Sequence, residues 1–284
     1  MLSRRAKLLY WMSRYLERSN FTSRLLITTS ELQLDLALED EISWKPLLTV
    51  MELNKDYLKL NKKYSERKII DYFIKDKKNQ SSLVNSLFYS KENSLVVRDI
   101  LPEQSILKLN ELLITFNKSI IKKNSKKNNL KLLYKIIQGS QNFMYSTDLE
   151  MQRNIDYQFL RLGRFLERTD MMIRILQTQV LRSKQHKKGY EYLTLEWINI
   201  LKSISAFQAY RQYSQQDISI SDIIYFFLKT NTFPRSINWN LNQIERATYR
   251  ISKKNNFFEF DYLKYSIFLT FSLKIIKNYL NYLF

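Results

Sequence analysis

LYWMSRYLERSNFTSRLL, residues 9–26, is answered 150 residues later by FLRLGRFLERTDMMIRIL, residues 159–176. Arg14 matches Arg164, Leu16 matches Leu166, Glu17-Arg18 matches Glu167-Arg168, Arg24 matches Arg174 and Leu26 matches Leu176. Tyr15/Phe165, Ser19/Thr169, Asn20/Asp170 and Leu25/Ile175 are conservative exchanges. The agreement rests on no shared Gly or Pro. It predicts a duplicated unit in which each copy contributes one long helix, the two helices forming a central pair.

Successive residues turn by about 100° around a helix, so the faces of this segment can be read directly. Leu8, Met12, Tyr15, Ser19 and Leu26 fall on one stripe, and Leu162, Phe165, Thr169 and Leu176 on its counterpart. Such stripes are ordinary core. The opposite faces carry Tyr10, Arg14, Glu17, Phe21 and Arg24, and Leu160, Arg164, Glu167, Met171 and Arg174. A face that alternates large apolar residues with charges is expected to meet another helix, its own repeat being one candidate. Arg14 with Glu17, and Arg164 with Glu167, can pair within a helix at i, i+3. Each glutamate can instead be met by an arginine of the other half, whose planar fork grips a carboxylate in two places. Two readings follow. One is a half-buried ion-pair seam that sets helix register. The other is a polar cleft in which surplus arginines (Arg14, Arg18, Arg24, Arg164, Arg168, Arg174) hold a carboxylate or phosphate, with Glu17 or Glu167 as the catalytic base or a ligand.

Outward from this repeat, the chain has 284 residues, 45% of them hydrophobic, with only three glycines and three prolines. A β-rich chain of this length needs many more turn residues. The expectation is an all-α, single-domain helical bundle over residues 1–284, with repeat halves of about 1–147 and 148–284. Helices are expected from Ser3 to Thr28, Ser30 to Ser43, and from Pro46 onward. Further ones open at Ser65, at Ser81-Ser82 (ending at Ile100) and at Pro102-Glu103. The remainder run from Asn129 to Tyr145, Asp148 to Ser183, Tyr190 to Tyr213, Ser219 to Thr230, Pro234 to Ser252 and Phe258 to the end.

Composition also excludes chemistry. Without cysteine there are no disulfides, thiolate metal sites or thiol nucleophiles, and a reducing cytoplasm is the expected compartment. The single histidine, His186, is flanked by lysines and reads as solvated, so neither a metal site nor a cofactor is expected. Scattered glycines supply neither a P-loop nor a dinucleotide fingerprint. Arg14 cuts the first apolar stretch short of a signal peptide, and the longest apolar run, Tyr265 to Leu273, falls far below the roughly 20 residues of a bilayer span. The net charge of +19 points to anionic partners at face value. Richness in Lys, Asn, Ile, Tyr and Phe with little Ala or Gly is the signature of an AT-rich coding sequence, so nucleic-acid binding is held only as an alternative.

The same residues carry a family resemblance. Leu9 through Arg18 resembles the opening of the bacterial alpha-E proteins, a helical family named for its Glu-Arg motif. Glu92-Asn93 and Val97-Arg98-Asp99 are similar to its mid-chain motifs, and Phe159 through Arg168 to its second Glu-Arg helix. Ala209-Tyr210-Arg211 with Tyr213, then Phe233-Pro234-Arg235-Ser236, resemble its C-terminal motifs. Tyr157 stands where the family pattern has Trp, and the segment before Thr147-Asp148 lacks an expected Gly. The resemblance implies an accessory or substrate-binding protein whose partners are an ATP-grasp-like ligase and a transglutaminase-like protein. It assigns the module no reaction of its own. Arg98, Arg211, Tyr213 and Arg235 join the ligand-binding candidates on these motifs, although Val97-Arg98-Asp99 within a helix also reads as a surface or interhelix pair. An acid–base enzyme built on Glu17 and Glu167 is the alternative.

Overall fold

The computed structural model describes residues 2–121, 125–185, 190–214 and 218–255. Among them are twelve helices and no strand. The first half holds α1 (Leu2–Asp35), α2 (Asp40–Val50), α3 (Asn54–Leu60), α4 (Glu66–Ile74) and α5 (Leu83–Val96). An antiparallel-connected pair follows, α6 (Glu103–Ile120) and α7 (Lys126–Glu150). The second half holds α8 (Ile155–Gln185), α9 (Tyr190–Ser203), α10 (Phe207–Tyr213), α11 (Ile220–Lys229) and α12 (Ile237–Asn255).

The two long helices of the repeat are neighbours. α1 packs along α8 more extensively than any other pair, and α5 returns onto α1 as α12 returns onto α8. α1 also touches α2, α7 and α9, so it is enclosed on most sides. This explains why its sequence does not look amphipathic. Beside Leu9, Met12, Leu16 and Leu26 it buries Ser13, Ser19, Thr22, Ser23, Thr28 and Ser30. Small side chains let neighbouring backbones approach, and three of these hydroxyls are satisfied within the helix. Ser19 donates to the Tyr15 carbonyl (2.9 Å), Ser23 to Ser19 (2.8 Å) and Thr28 to Arg24 (3.1 Å). The closest crossing is at Gly163. A Cβ there would stand 2.2 Å from the Tyr10 carbonyl oxygen, so only glycine fits.

Several helix boundaries differ from expectation. Thr28 and Ser30 do not end the first helix, because their hydroxyls bond inside the protein instead of capping a new turn; α1 continues to Asp35. Pro46 does not open a helix but lies inside α2. Proline cannot donate to the carbonyl of Ile42, four residues back. That carbonyl faces α8 and accepts from the Arg182 guanidinium at 3.4 Å. The segment expected as one helix from Tyr190 to Tyr213 breaks into α9 and α10 at Ser205, whose φ is 56°. Asp148 belongs to the last turn of α7, not to the start of the second repeat helix. Val97-Arg98-Asp99 lies in a turn after α5. His186 and the expected helix from Phe258 fall outside the described residues.

The helices of the two halves follow the same order and the same joints. Glu52, two residues past the end of α2, has φ 58°, and the next amide, of Leu53, reaches back to the Leu48 carbonyl. Ser205, two residues past the end of α9, has φ 56°, and the Ala206 amide reaches back to the Leu201 carbonyl in the same way. A seven-residue helix follows each joint. Ser82 caps α5 by accepting from the Asn85 amide, and Ser236 accepts likewise from Trp239 before α12.

Candidate functional site

The faces of α1 and α8 that mix charge with apolar bulk do meet each other. Within-helix pairing of Arg14 with Glu17 and of Arg164 with Glu167 is not what forms; the glutamates are met from the opposite half. Glu167 accepts from Arg14 Nε (2.6 Å), from Arg18 Nε (2.5 Å) and from Arg18 Nη2 (3.1 Å). Glu17 accepts from Arg168 Nε (2.8 Å) and Nη2 (3.1 Å). Each Glu-Arg dipeptide thus binds the other reciprocally, glutamate to arginine in both directions. Arg164 turns aside to Asp148, at 2.7 and 2.8 Å, a partner the sequence did not reveal because it lies on a different helix. Both motif glutamates are fully buried.

Burial pushes the Glu17 carboxyl up, but Arg168, through charge and hydrogen bonds, and then Arg235 and Arg164 outweigh it and hold it below its ordinary value. The same contest lowers Asp148: burial opposes ionisation, while the two bonds from Arg164 and the Tyr157 hydroxyl (3.0 Å) favour it. Arg14 pays a desolvation cost that Glu167 and Tyr10 more than offset, so its basicity rises. The guanidinium of Arg14 also lies 5.2 Å from the Trp11 ring, and that of Arg164 5.2 Å from Phe165.

On one side of this seam an open cleft of about 500 Å³ lies between α1, α8, the end of α2 and the loop before α5. Its walls carry Arg18, Arg174 and Lys78, faced by Glu52 and Asp56, with Asn79, Gln80 and Ser81 between them. Met51, Leu53, Tyr72 and Met171 supply apolar surface. Arg174 bonds Glu52 at 2.9 Å and Asp170 at 3.1 Å. Glu52, Asp56 and Lys78 had no signal in the sequence, since nothing in a single chain shows that a helix end 120 residues away will face Arg174.

On the other side the C-terminal motif comes in. Arg235, in the loop before α12, lies 3.9 Å from Glu17, and Arg168 donates to the Pro234 carbonyl at 3.2 Å. Arg24 bonds Asn20 (2.9 Å) and Ser205 (2.7 Å). The Tyr213 ring meets that of Phe226 at a tilt of 53°, 5.3 Å between centroids, while Tyr210 is buried. Arg211 is exposed and Arg98 is exposed, and neither reaches the seam. Asp99 pairs at the surface with Arg5 of α1.

Among the described residues no group of His, Cys, Asp and Glu could hold a metal ion, and no helix is long and apolar enough to cross a membrane. A family model for a predicted alpha-helical domain with a conserved ER motif matches residues 1–259. No curated protein and no solved structure matches the chain.

Proposed function

The chain belongs to the Alpha-E family, and from that footing we propose that it is a non-catalytic helical protein that holds a small polar ligand for an ATP-grasp-like ligase. The observation that carries this reading is the state of Glu17 and Glu167. Both are buried and engaged by arginines of the opposite half. A general acid or base needs a pKa near the working pH and an open path to the substrate. Glu17, held ionised by three arginines, has neither. The Glu-Arg pairs therefore serve as a frame that locks two long helices in register.

What the frame presents is the cleft beside Arg18 and Arg174. Its volume falls in the range of small-molecule sites. It carries both signs of charge with amide and hydroxyl groups between them, which suits a zwitterion such as an amino acid or a dipeptide. Its apolar floor adds area without dictating one side chain. The ligase and a transglutaminase-like partner come from the family resemblance, and a peptide-sized ligand is the chemistry such partners would share with this cleft.

The test has two arms. Thermal-shift titration with free amino acids and dipeptides is expected to raise Tm for wild type and not for Arg174→Gln combined with Lys78→Gln. Native pull-down of the tagged chain is expected to enrich an ATP-grasp-like ligase. A panel that leaves Tm unmoved removes the cleft from the reading, and a clean, partnerless preparation removes the ligase. Nucleic-acid binding would instead show affinity that falls steeply with salt.

A further inference from the structure

The two sides of the Glu-Arg seam are built alike, and they differ in charge. Around the cleft, Arg174 has two carboxylates, Glu52 at the end of α2 and Asp170 one turn earlier on its own helix. Arg24 holds the matching place on α1, and its two partners are Ser205 at the end of α9 and Asn20 one turn earlier. Both matching places hold neutral groups. The third residue of α3 is Asp56, whereas the third residue of α10 is Ala209. Finally, Ser81 precedes the cap of α5, and Arg235 precedes the cap of α12. The second side therefore has neutral residues at three places where the first has acids, and an arginine where the first has Ser81.

What remains there is a group of three arginines about one carboxylate. Glu17 is already engaged by Arg168 through two hydrogen bonds. Arg235 comes no nearer than 3.9 Å, and its Nη1, shut off from solvent, makes no hydrogen bond. A buried guanidinium nitrogen without an acceptor is costly. Burial, followed by the charges of Arg168 and Arg24, pushes the Arg235 guanidinium down to about 9 despite Glu17. Arginine keeps its proton at neutral pH even so, and the depression reports poorly compensated positive charge. Arg24 is lowered in the same sense, by burial first and then by Arg168. The cluster reaches the surface: the Arg24–Ser205 and Arg168–Pro234 bonds both lie at its exposed rim.

We propose that Arg24, Arg168 and Arg235, gathered about Glu17, bind a compact oxyanion, a carboxylate or phosphate group, where α1, α8 and the loop before α12 meet. The forked donors of three arginines suit such a group, which would supply the negative charge that Ser205, Asn20 and Ala209 do not, and an acceptor for Arg235. The site is separate from the cleft beside Arg174 and does not depend on it.

The experiment is a thermal-shift titration with sodium phosphate and, separately, sodium acetate, each against chloride of equal ionic strength. Three proteins are compared: wild type, Arg235→Ser and Ser205→Glu. The last places a carboxylate opposite Arg24 at a backbone conformation that Glu52 already adopts. Wild type is expected to gain about 3 °C or more at ten times the Kd of the bound anion. Arg235→Ser loses that gain. Ser205→Glu melts higher than wild type in chloride and responds less to the anion. A response to phosphate alone or acetate alone supports the site and assigns its ligand class. Absence of any response in wild type overturns the proposal, as does an equal response in all three proteins, which would place the anion elsewhere on a strongly basic surface. Ser205→Glu keeps the test decisive if Arg235→Ser does not fold.

Discussion

Glu17→Gln is the substitution that separates a structural from a chemical role most sharply. The carboxylate is buried, accepts two bonds from Arg168 at 2.8 and 3.1 Å, and has Arg235 at 3.9 Å. Glutamine is the same size and its carbonyl can keep one of those bonds, worth about 1 kcal/mol. What disappears is the one negative charge within a group of three arginines. Removing a single partner from a buried ion pair costs about 3–5 kcal/mol, so a net loss of roughly 2–4 kcal/mol is expected after the retained bond is counted. For a chain of this length each kcal/mol lowers Tm by about 2–4 °C, giving a fall of roughly 5–15 °C. The assay is calorimetric or circular-dichroism melting at pH 7, with Arg168→Gln and the double variant completing a cycle. The double variant should lose less than the sum of the singles. Arg235→Ser added to Glu17→Gln should restore part of the loss, because it removes a stranded charge. If Glu17→Gln melts within a degree of wild type, the seam is not what holds α1 to α8, and a chemical role for Glu17 regains its case.

Other outcomes follow from the same geometry. Gly163→Ala puts a methyl group 2.2 Å from the Tyr10 carbonyl oxygen, so the helices must separate and stretch the reciprocal bonds; overpacking of about 1–3 kcal/mol or more exceeds the ~1 kcal/mol of helix propensity gained, and a Tm at or above wild type would refute the close crossing. Glu17 and Asp148 both have folded pKa values below their ordinary ones, so their contribution to stability is complete above the unfolded values near 4.5 and 3.8 and is lost as pH falls through the folded values. Acid titration of urea stability should show that loss, and Glu17→Gln should flatten it; an unchanged profile would contradict the assignment. Pro46→Ala restores a helical donor to the Ile42 carbonyl, at present an acceptor for Arg182; a small gain of about 1 kcal/mol is expected, and a clear loss in chemical denaturation would show that Arg182 needs that carbonyl.

The all-helical class was legible from the scarcity of Gly and Pro, and the central pair from the matched segments, because both carry the same charged and apolar pattern at the same helical spacing. The sequence also named the residues of the seam: Glu17, Glu167 and the arginines at 14, 18, 24, 164, 168 and 174. It did not determine who pairs with whom. Arg14 and Glu17 are near in sequence, yet Arg14 reaches Glu167, since helix packing brings the opposite carboxylate to its fork at 2.6 Å. Asp148, Glu52 and Lys78 entered only through tertiary structure, from helix ends whose approach depends on how α2, α5 and α7 fold over the central pair. Helix boundaries failed where a local signal was overridden by packing: Ser30 and Pro46 looked like starts, but the Ser30 hydroxyl bonds Glu66 and the Ile42 carbonyl that Pro46 cannot serve accepts from Arg182. The charge contrast between the two sides has the same origin. Asn20 and Ser205 are unremarkable residues in the chain, and become informative only when Arg24 is seen to bond both, with no carboxylate in the places where Arg174 has two.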